Sequence, residues 1–300
     1  MNEFEGRTAV ITGAGSGIGA ALAKQAAGLG MRLVLADINA ADLAGVASGL
    51  SVTQCLTRVV DVTDPEAVDA LAHDAFAQCG DVALVCNNAG VVPGGRHRMV
   101  WEFTPEDWRW AFGVNVDGVT NGIRSFVPRL IAQDKPAHVL NTASVAGFVS
   151  GSGSAVYGAS KHAVVRITEA LFAGLREVGA PIGVTMLCPG LVATRIYDAE
   201  RSRPEHLRAR GGRPEEAPEL QAIADDLYRS APSPEAVAEL AFEGIRANQF
   251  YVFTTERFDA GIRARAQSIV ERANPTFESI LELSKDDVGV RDAGVGVEAS

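Results

Sequence analysis

The stretch "RTAVITGAGSGIG" (residues 7–19) runs a short apolar, β-branched segment into a cluster of glycines. Residues 7–13 read as a strand buried on both faces, and 17–30 as a small-residue helix ended at Gly30. Where a strand turns tightly into a helix, glycines let the backbone N–H groups at the helix N-terminus come close to an anion. The glycines fall as GxxxGxG, at Gly13, Gly17 and Gly19, with Ser16 and Ile18 between them. Such a cluster also occurs in plain turns, but its place after the first strand turns the reading toward a dinucleotide pyrophosphate. Asp37 closes the next apolar run, "MRLVLAD" (31–37), eighteen residues after Gly19. An acidic residue at that distance accepts hydrogen bonds from the adenosine ribose and repels a 2′-phosphate. Ser16 and Ile38 bring no positive charge to receive such a phosphate, so NAD is expected in preference to NADP. Asp61 and Val62 end the third run, where an adenine edge would lie.

The alternation continues outward from this unit. Strand-like runs at 55–62, 81–90, 137–144, 182–190 and 249–253 are separated by helical segments at 40–49, from 63–66 onward, 104–131, 154–178 and 233–245. Continuous apolar strands that alternate with helices predict a parallel sheet covered on both faces. The expected fold is α/β: a single Rossmann-type, doubly wound parallel sheet of about seven strands, with ligands at the strands' carboxyl ends. Residues 191–233, rich in Arg, Glu, Pro and Gly, are too long for a simple connection and are expected to form a lid within one domain spanning 1–284. An amphipathic helix is expected over 256–272, and 285–300 lacks the hydrophobicity to pack, so disorder is expected there.

Composition narrows the function classes. A net charge of −10 argues against nucleic acid or an anionic membrane as partner. The apolar runs are shorter than a membrane span, and Glu3 and Glu5 do not suit a signal peptide, so a cytoplasmic location is expected. Cys55, Cys79, Cys86 and Cys188 are scattered without CxxC or a histidine at ligand spacing. They read as reduced thiols, and no metal site is expected.

"YGASK" (157–161) places Lys161 one helical turn after Tyr157, with Ser144 thirteen residues upstream. A Tyr–Lys pair at this spacing is by itself an ordinary helix face. Taken with "TGAGSGIG" (12–19), "DV" (61–62), "NNAG" (87–90), "VNV" around Asn115, "NTASVAG" (141–147) and "CPGLVAT" (188–194), it resembles the short-chain dehydrogenase/reductase family, in its classical branch. These stretches occur in family order over residues 5–195.

The resemblance implies an NAD(P)-dependent oxidoreductase that interconverts a small-molecule secondary alcohol and its ketone. It makes Tyr157 the catalytic acid/base, Lys161 its partner, Ser144 the substrate-orienting hydroxyl and Asn115 the holder of a relay water. Asn87, Val192 and Thr194 would contact the cofactor, and the helices at 104–131 and 154–178 would pair subunits into a homodimer or homotetramer. The long 191–233 insertion and tail are similar to those of members that oxidise bulky aromatic secondary alcohols.

The residue types suit that chemistry. A phenol of pKa about 10 is a poor base near neutrality unless a neighbouring cation favours phenolate. Lys161 and an oxidised nicotinamide would both act in that direction. Trp108 is expected in the core and Trp101 along the substrate cleft. Two alternatives remain: an NADP-dependent ketoreductase, which Asp37 disfavours, and a non-catalytic dinucleotide-binding regulator, which intact Asn115, Ser144, Tyr157 and Lys161 disfavour.

Overall fold

Alternate residues of each strand enter opposite cores, which is what makes the sheet two-sided. On β1 (Thr8–Thr12), Ala9 and Ile11 pack with one layer while Val10 packs with the other. On β2 (Arg32–Asp37), Leu33 and Leu35 again oppose Val34 and Ala36. The structure is a computed structural model that describes residues 1, 3–52, 54–93, 98–149, 155–208 and 231–275. The remaining strands are β3 (Cys55–Val59), β4 (Val82–Asn87), β5 (Ala137–Thr142), β6 (Ile182–Cys188) and β7 (Tyr251–Phe253). Their order is β3-β2-β1-β4-β5-β6-β7, and every pairing is parallel. The direction of winding reverses between β1 and β4, where a doubly wound sheet opens its crevice.

The helices are α1 (Gly17–Gly28), α2 (Ala40–Ser48), α3 (Pro65–Cys79), α4 (Pro105–Phe112), α5 (Gly118–Gln133), α6 (Ala155–Glu177), α7 (Pro234–Ala247) and α8 (Asp259–Glu271). One face of the sheet is covered by α1, α2 and α7, through residues such as Leu22, Leu43 and Phe242. The other is covered by α3, α5 and α6, through Leu71, Phe126 and Leu175. Starts follow local chemistry: Asp64 accepts hydrogen bonds from the amides of Glu66 and Ala67 with Pro65 at the first helical position.

Two expectations on element boundaries change. The third and fourth strands stop at Val59 and Asn87, so residues 60–62 and 88–90 leave the sheet at its carboxyl edge. The helix expected over 104–131 is divided by a π-helical turn, Gly113–Asp117, where the Gly118 amide donates to the Gly113 carbonyl. That wide turn rotates Asn115 inward until it is fully buried.

The described part of the 191–233 segment is docked rather than detached. Two 3-10 turns, Ile196–Ser202 and Glu205–Leu207, lie against α4 and the loop after β4. Ala199 is buried beside Val91 and Trp110. The Arg203 guanidinium, 3% exposed, donates to Asp107 at 2.7 Å and faces the Trp110 ring at 4.9 Å. Residues 209–230 of this segment, and the 285–300 tail, lie outside the described residues.

Candidate active site

The carboxyl ends of β1, β2, β4, β5 and β6 surround a cavity of about 460 Å³, which runs from Asp37 to Tyr157. At one end the glycine loop forms its wall. Gly13 has φ +65°, and a Cβ there would come 2.8 Å from the Ala89 Cα; a Cβ at Gly19 would collide with the Gly13 carbonyl oxygen. Only glycine fits either position, and Ser16, Gly17 and Ile18 between them line the cavity. Asp37 braces this loop: its Oδ2 accepts the Gly15 amide at 2.8 Å and its Oδ1 accepts the Asn39 amide at 2.9 Å. Asp61, Val62, Ser16, Gly17 and Ile18 line the same end. A glycine loop at a helix N-terminus beside a carboxylate is a donor and acceptor set that fits the adenosine diphosphate half of a dinucleotide.

At the other end α6 delivers Tyr157 and Lys161 one turn apart, facing Ser144 at the end of the loop after β5. The Lys161 ammonium is buried, donates to the Thr142 carbonyl at 2.8 Å, and lies 5.7 Å from the Tyr157 ring centroid. Its desolvation brings the pKa down to about 8, a fall that the nearby Cys188 thiol opposes. The Ser144 hydroxyl donates to the Pro189 carbonyl at 3.2 Å and accepts the Ala146 amide. For Tyr157, enclosure of the phenol and the neighbouring Tyr197 push the pKa up, while hydrogen bonding with Ser144 pulls it down. Among the protein groups burial is the largest influence on Tyr157, and the lowering expected of Lys161 is expected together with a bound oxidised nicotinamide.

Asn115 does not line the cavity; it braces the cavity's wall. Its Oδ1 accepts the Val91 amide at 2.8 Å, and its Nδ2 donates to the Val91 carbonyl and to Ser160 Oγ, at 3.0 and 2.9 Å. Ser160 in turn donates to the Tyr157 carbonyl at 2.7 Å. A Cβ built on Gly90 would lie 3.4 Å from both Asn115 Oδ1 and Lys161 Nζ, so the two residues flank that glycine.

Val192 and Thr194 line the cavity, and a Cβ on Gly17 would sit 3.2 Å from the Thr194 methyl. Asn87 does not reach it. The strand's alternation turns Asn87 toward Gly122 of α5, its Nδ2 donates to Asn141 Oδ1 on the neighbouring β5 at 2.8 Å, and the cavity is met by Asn88 instead. Gly19 likewise serves close packing rather than the lining. Among the tryptophans Trp110 is the buried one that lines the cavity, while Trp101 is 79% exposed and Trp108 packs on Phe112 at 5.8 Å. Sequence reasoning also missed Thr142, Tyr197, Arg201 and Phe258. The NTAS stretch pointed to the neighbourhood of Thr142; the other three are brought in by tertiary contacts. All four cysteines are free, and among the described residues no His/Cys/Asp/Glu group of three could hold a metal. No helix among the described residues is long and apolar enough to cross a membrane.

A doubly wound sheet whose glycine loop and Tyr–Lys–Ser cluster share one cavity defines a short-chain oxidoreductase. The chain belongs to the short chain dehydrogenase family, whose model matches residues 7–205. It is 39% identical over 263 residues to 1-deoxy-11-beta-hydroxypentalenate dehydrogenase of Streptomyces exfoliatus, covering 87% of this chain and 86% of that protein. It is 31% identical over 295 residues to the C alpha-dehydrogenase of a Sphingobium species, covering 97% and 92%. Among solved structures, a short chain dehydrogenase/reductase from Burkholderia phymatum in complex with NAD superposes with a TM-score of 0.84 at 43% identity, covering 93% of this chain and 99% of that one.

Proposed function

We propose that this chain is an NAD-dependent dehydrogenase that interconverts a secondary alcohol and its ketone. The observation that carries the reading is the meeting of Tyr157, Lys161 and Ser144 in one cavity with the Gly13–Gly19 loop and Asp37. When bound, oxidised nicotinamide supplies the hydride acceptor and a positive ring beside the phenol. Ser144 holds the substrate oxygen, the positive charges of Lys161 and of a bound oxidised nicotinamide would favour Tyr157 as phenolate, and that phenolate takes the hydroxyl proton as the carbon–hydrogen bond breaks. Asn115 is assigned to the proton relay by the family resemblance, with its side-chain amide bracing the wall beside Gly90 and Lys161. Asp37, directed at the loop that would carry the ribose, favours NAD, as does the likeness to an NAD-bound relative.

The substrate end of the cavity is walled mainly by Val91, Trp110, Val145, Ile196, Tyr197 and Leu207. Those walls suit a bulky, largely apolar alcohol, as do relatives named for acting on a hydroxypentalenate and at a Cα position. The domain comprises residues 1–284 with the lid included. The test is a panel of cyclic and aryl secondary alcohols with NAD, followed by the absorbance of reduced nicotinamide; no reduction with any member counts against the reading.

The assembly is a symmetric homo-oligomer, paired through α5 and α6, where Ala159 and Ala170 face solvent in the single chain. A monomeric mass by light scattering at micromolar concentration would contradict it.

A further inference from the structure

Arg201 crosses from the 196–202 turn to the glycine loop, a sequence separation of 185, and its Nη2 donates to Ser16 Oγ at 3.3 Å. Its Nη1 donates to the carbonyls of Arg195 and Asp198, at 3.0 and 2.8 Å, so the fork is held by backbone rather than floating in solvent. Among the described residues its carboxylate partner is Asp198, 3.9 Å away and itself mostly exposed, so within them the guanidinium charge is only loosely compensated. Ser16 occupies the N-cap position of α1, yet its hydroxyl makes no capping bond, and the first turn of α1 has no acidic residue. Arg201, Ser16, Gly17 and Thr194 all face the same cavity. A fixed cation and the uncovered start of a helix thus converge from two parts of the chain that are remote in sequence. Together they form a two-sided anion clamp.

We infer that Arg201 is a cofactor-positioning residue that binds the diphosphate of the dinucleotide and thereby ties the 196–202 turn to cofactor binding. The inference rests on the dinucleotide reading above and adds to it a residue that the glycine loop alone does not supply. Because Tyr197 and Ala199, in the same turn, line the substrate end, a diphosphate that holds Arg201 also sets the substrate wall.

Calorimetric titration of the cofactor-free protein separates this role from a purely structural one. The ligands are NAD, NADP, ADP-ribose, which keeps the diphosphate without the nicotinamide, and adenosine, which lacks both. Arg201→Gln keeps a donor for the two carbonyls and removes the charge, whereas Arg201→Lys keeps the charge and loses the fork. Arg201→Gln should weaken NAD and ADP-ribose by about tenfold or more, Arg201→Lys by less, and neither should alter adenosine. ADP-ribose binding by Arg201→Gln within about twofold of the unsubstituted chain would overturn the proposal. So would an equal loss for adenosine, which would mark a staple of the loop, or a loss confined to NADP, which would put the guanidinium at a 2′-phosphate. Failure of the unsubstituted protein to bind either NAD or ADP-ribose would overturn the dinucleotide reading itself, and this proposal with it.

Discussion

Lys161 stands 5.7 Å from the centre of the Tyr157 ring while its ammonium is held at 2.8 Å by the Thr142 carbonyl. One backbone oxygen thus fixes a buried charge beside a phenol, at a cost in stability that burial of that charge imposes. The lysine's folded pKa, about 8, lies below its ordinary 10.5, so the folded chain binds the proton less tightly than the unfolded one. The penalty is full below about 8 and is relieved as pH rises from there toward 10.5. Lys161→Met should therefore stabilise the cofactor-free protein near neutral pH, by on the order of 3 kcal/mol before the lost hydrogen bond to Thr142 is subtracted. The gain should shrink in alkali, and turnover should collapse. Urea unfolding across the pH range measures this; a gain that does not diminish in alkali would contradict the burial account.

Asp37 accepts one bond from the glycine loop, at Gly15, and one from its own turn, at Asn39, and its carboxylate lines the cavity. Asp37→Ser should narrow the preference for NAD over NADP by about tenfold or more, because a like charge facing the 2′-phosphate is removed. The ratio of kcat/KM for the two cofactors reads it directly. Equal use of both by the unsubstituted protein would show that Asp37 does not discriminate.

Asp107 is the buried carboxylate between Arg98, at 3.1 Å, and Arg203, at 2.7 Å. Among the described residues, Asp107→Ala leaves Arg203 with Glu200, at 3.1 Å, as its carboxylate partner and should cost about 3 kcal/mol. Release of the 196–208 segment should then speed tryptic cleavage at Arg201 and Arg208, while Arg203 resists because Pro204 follows it. An unchanged urea midpoint and an unchanged cleavage pattern would mean that the ion pair does not hold this segment.

Local chemistry explains why the framework was readable. Strand runs such as 7–13 and 31–37, the GxxxGxG loop and the i, i+4 pair of Tyr157 and Lys161 all depend on neighbours close in the chain. The failures share the opposite character. Asn87 and Asn88 differ only in which way a strand end turns, and that is settled by packing of Asn87 against Gly122. The break at Gly113–Asp117 has no proline to announce it; Asn115's bonds to Val91 and Ser160 accompany it. Arg201 at Ser16 and Arg203 at Asp107 join segments 185 and 96 residues apart, so neither motif nor periodicity could reveal them.

Tyr157 is the group proposed to take the alcohol proton. Tyr157→Phe removes the hydroxyl and keeps the ring beside Lys161, so folding and NAD binding should be nearly unchanged. Single-turnover reduction of NAD by a secondary alcohol that the unsubstituted enzyme oxidises should slow by about 10²-fold or more in this variant, with NAD affinity measured alongside by titration. Hydride transfer at the unsubstituted rate would contradict the assignment.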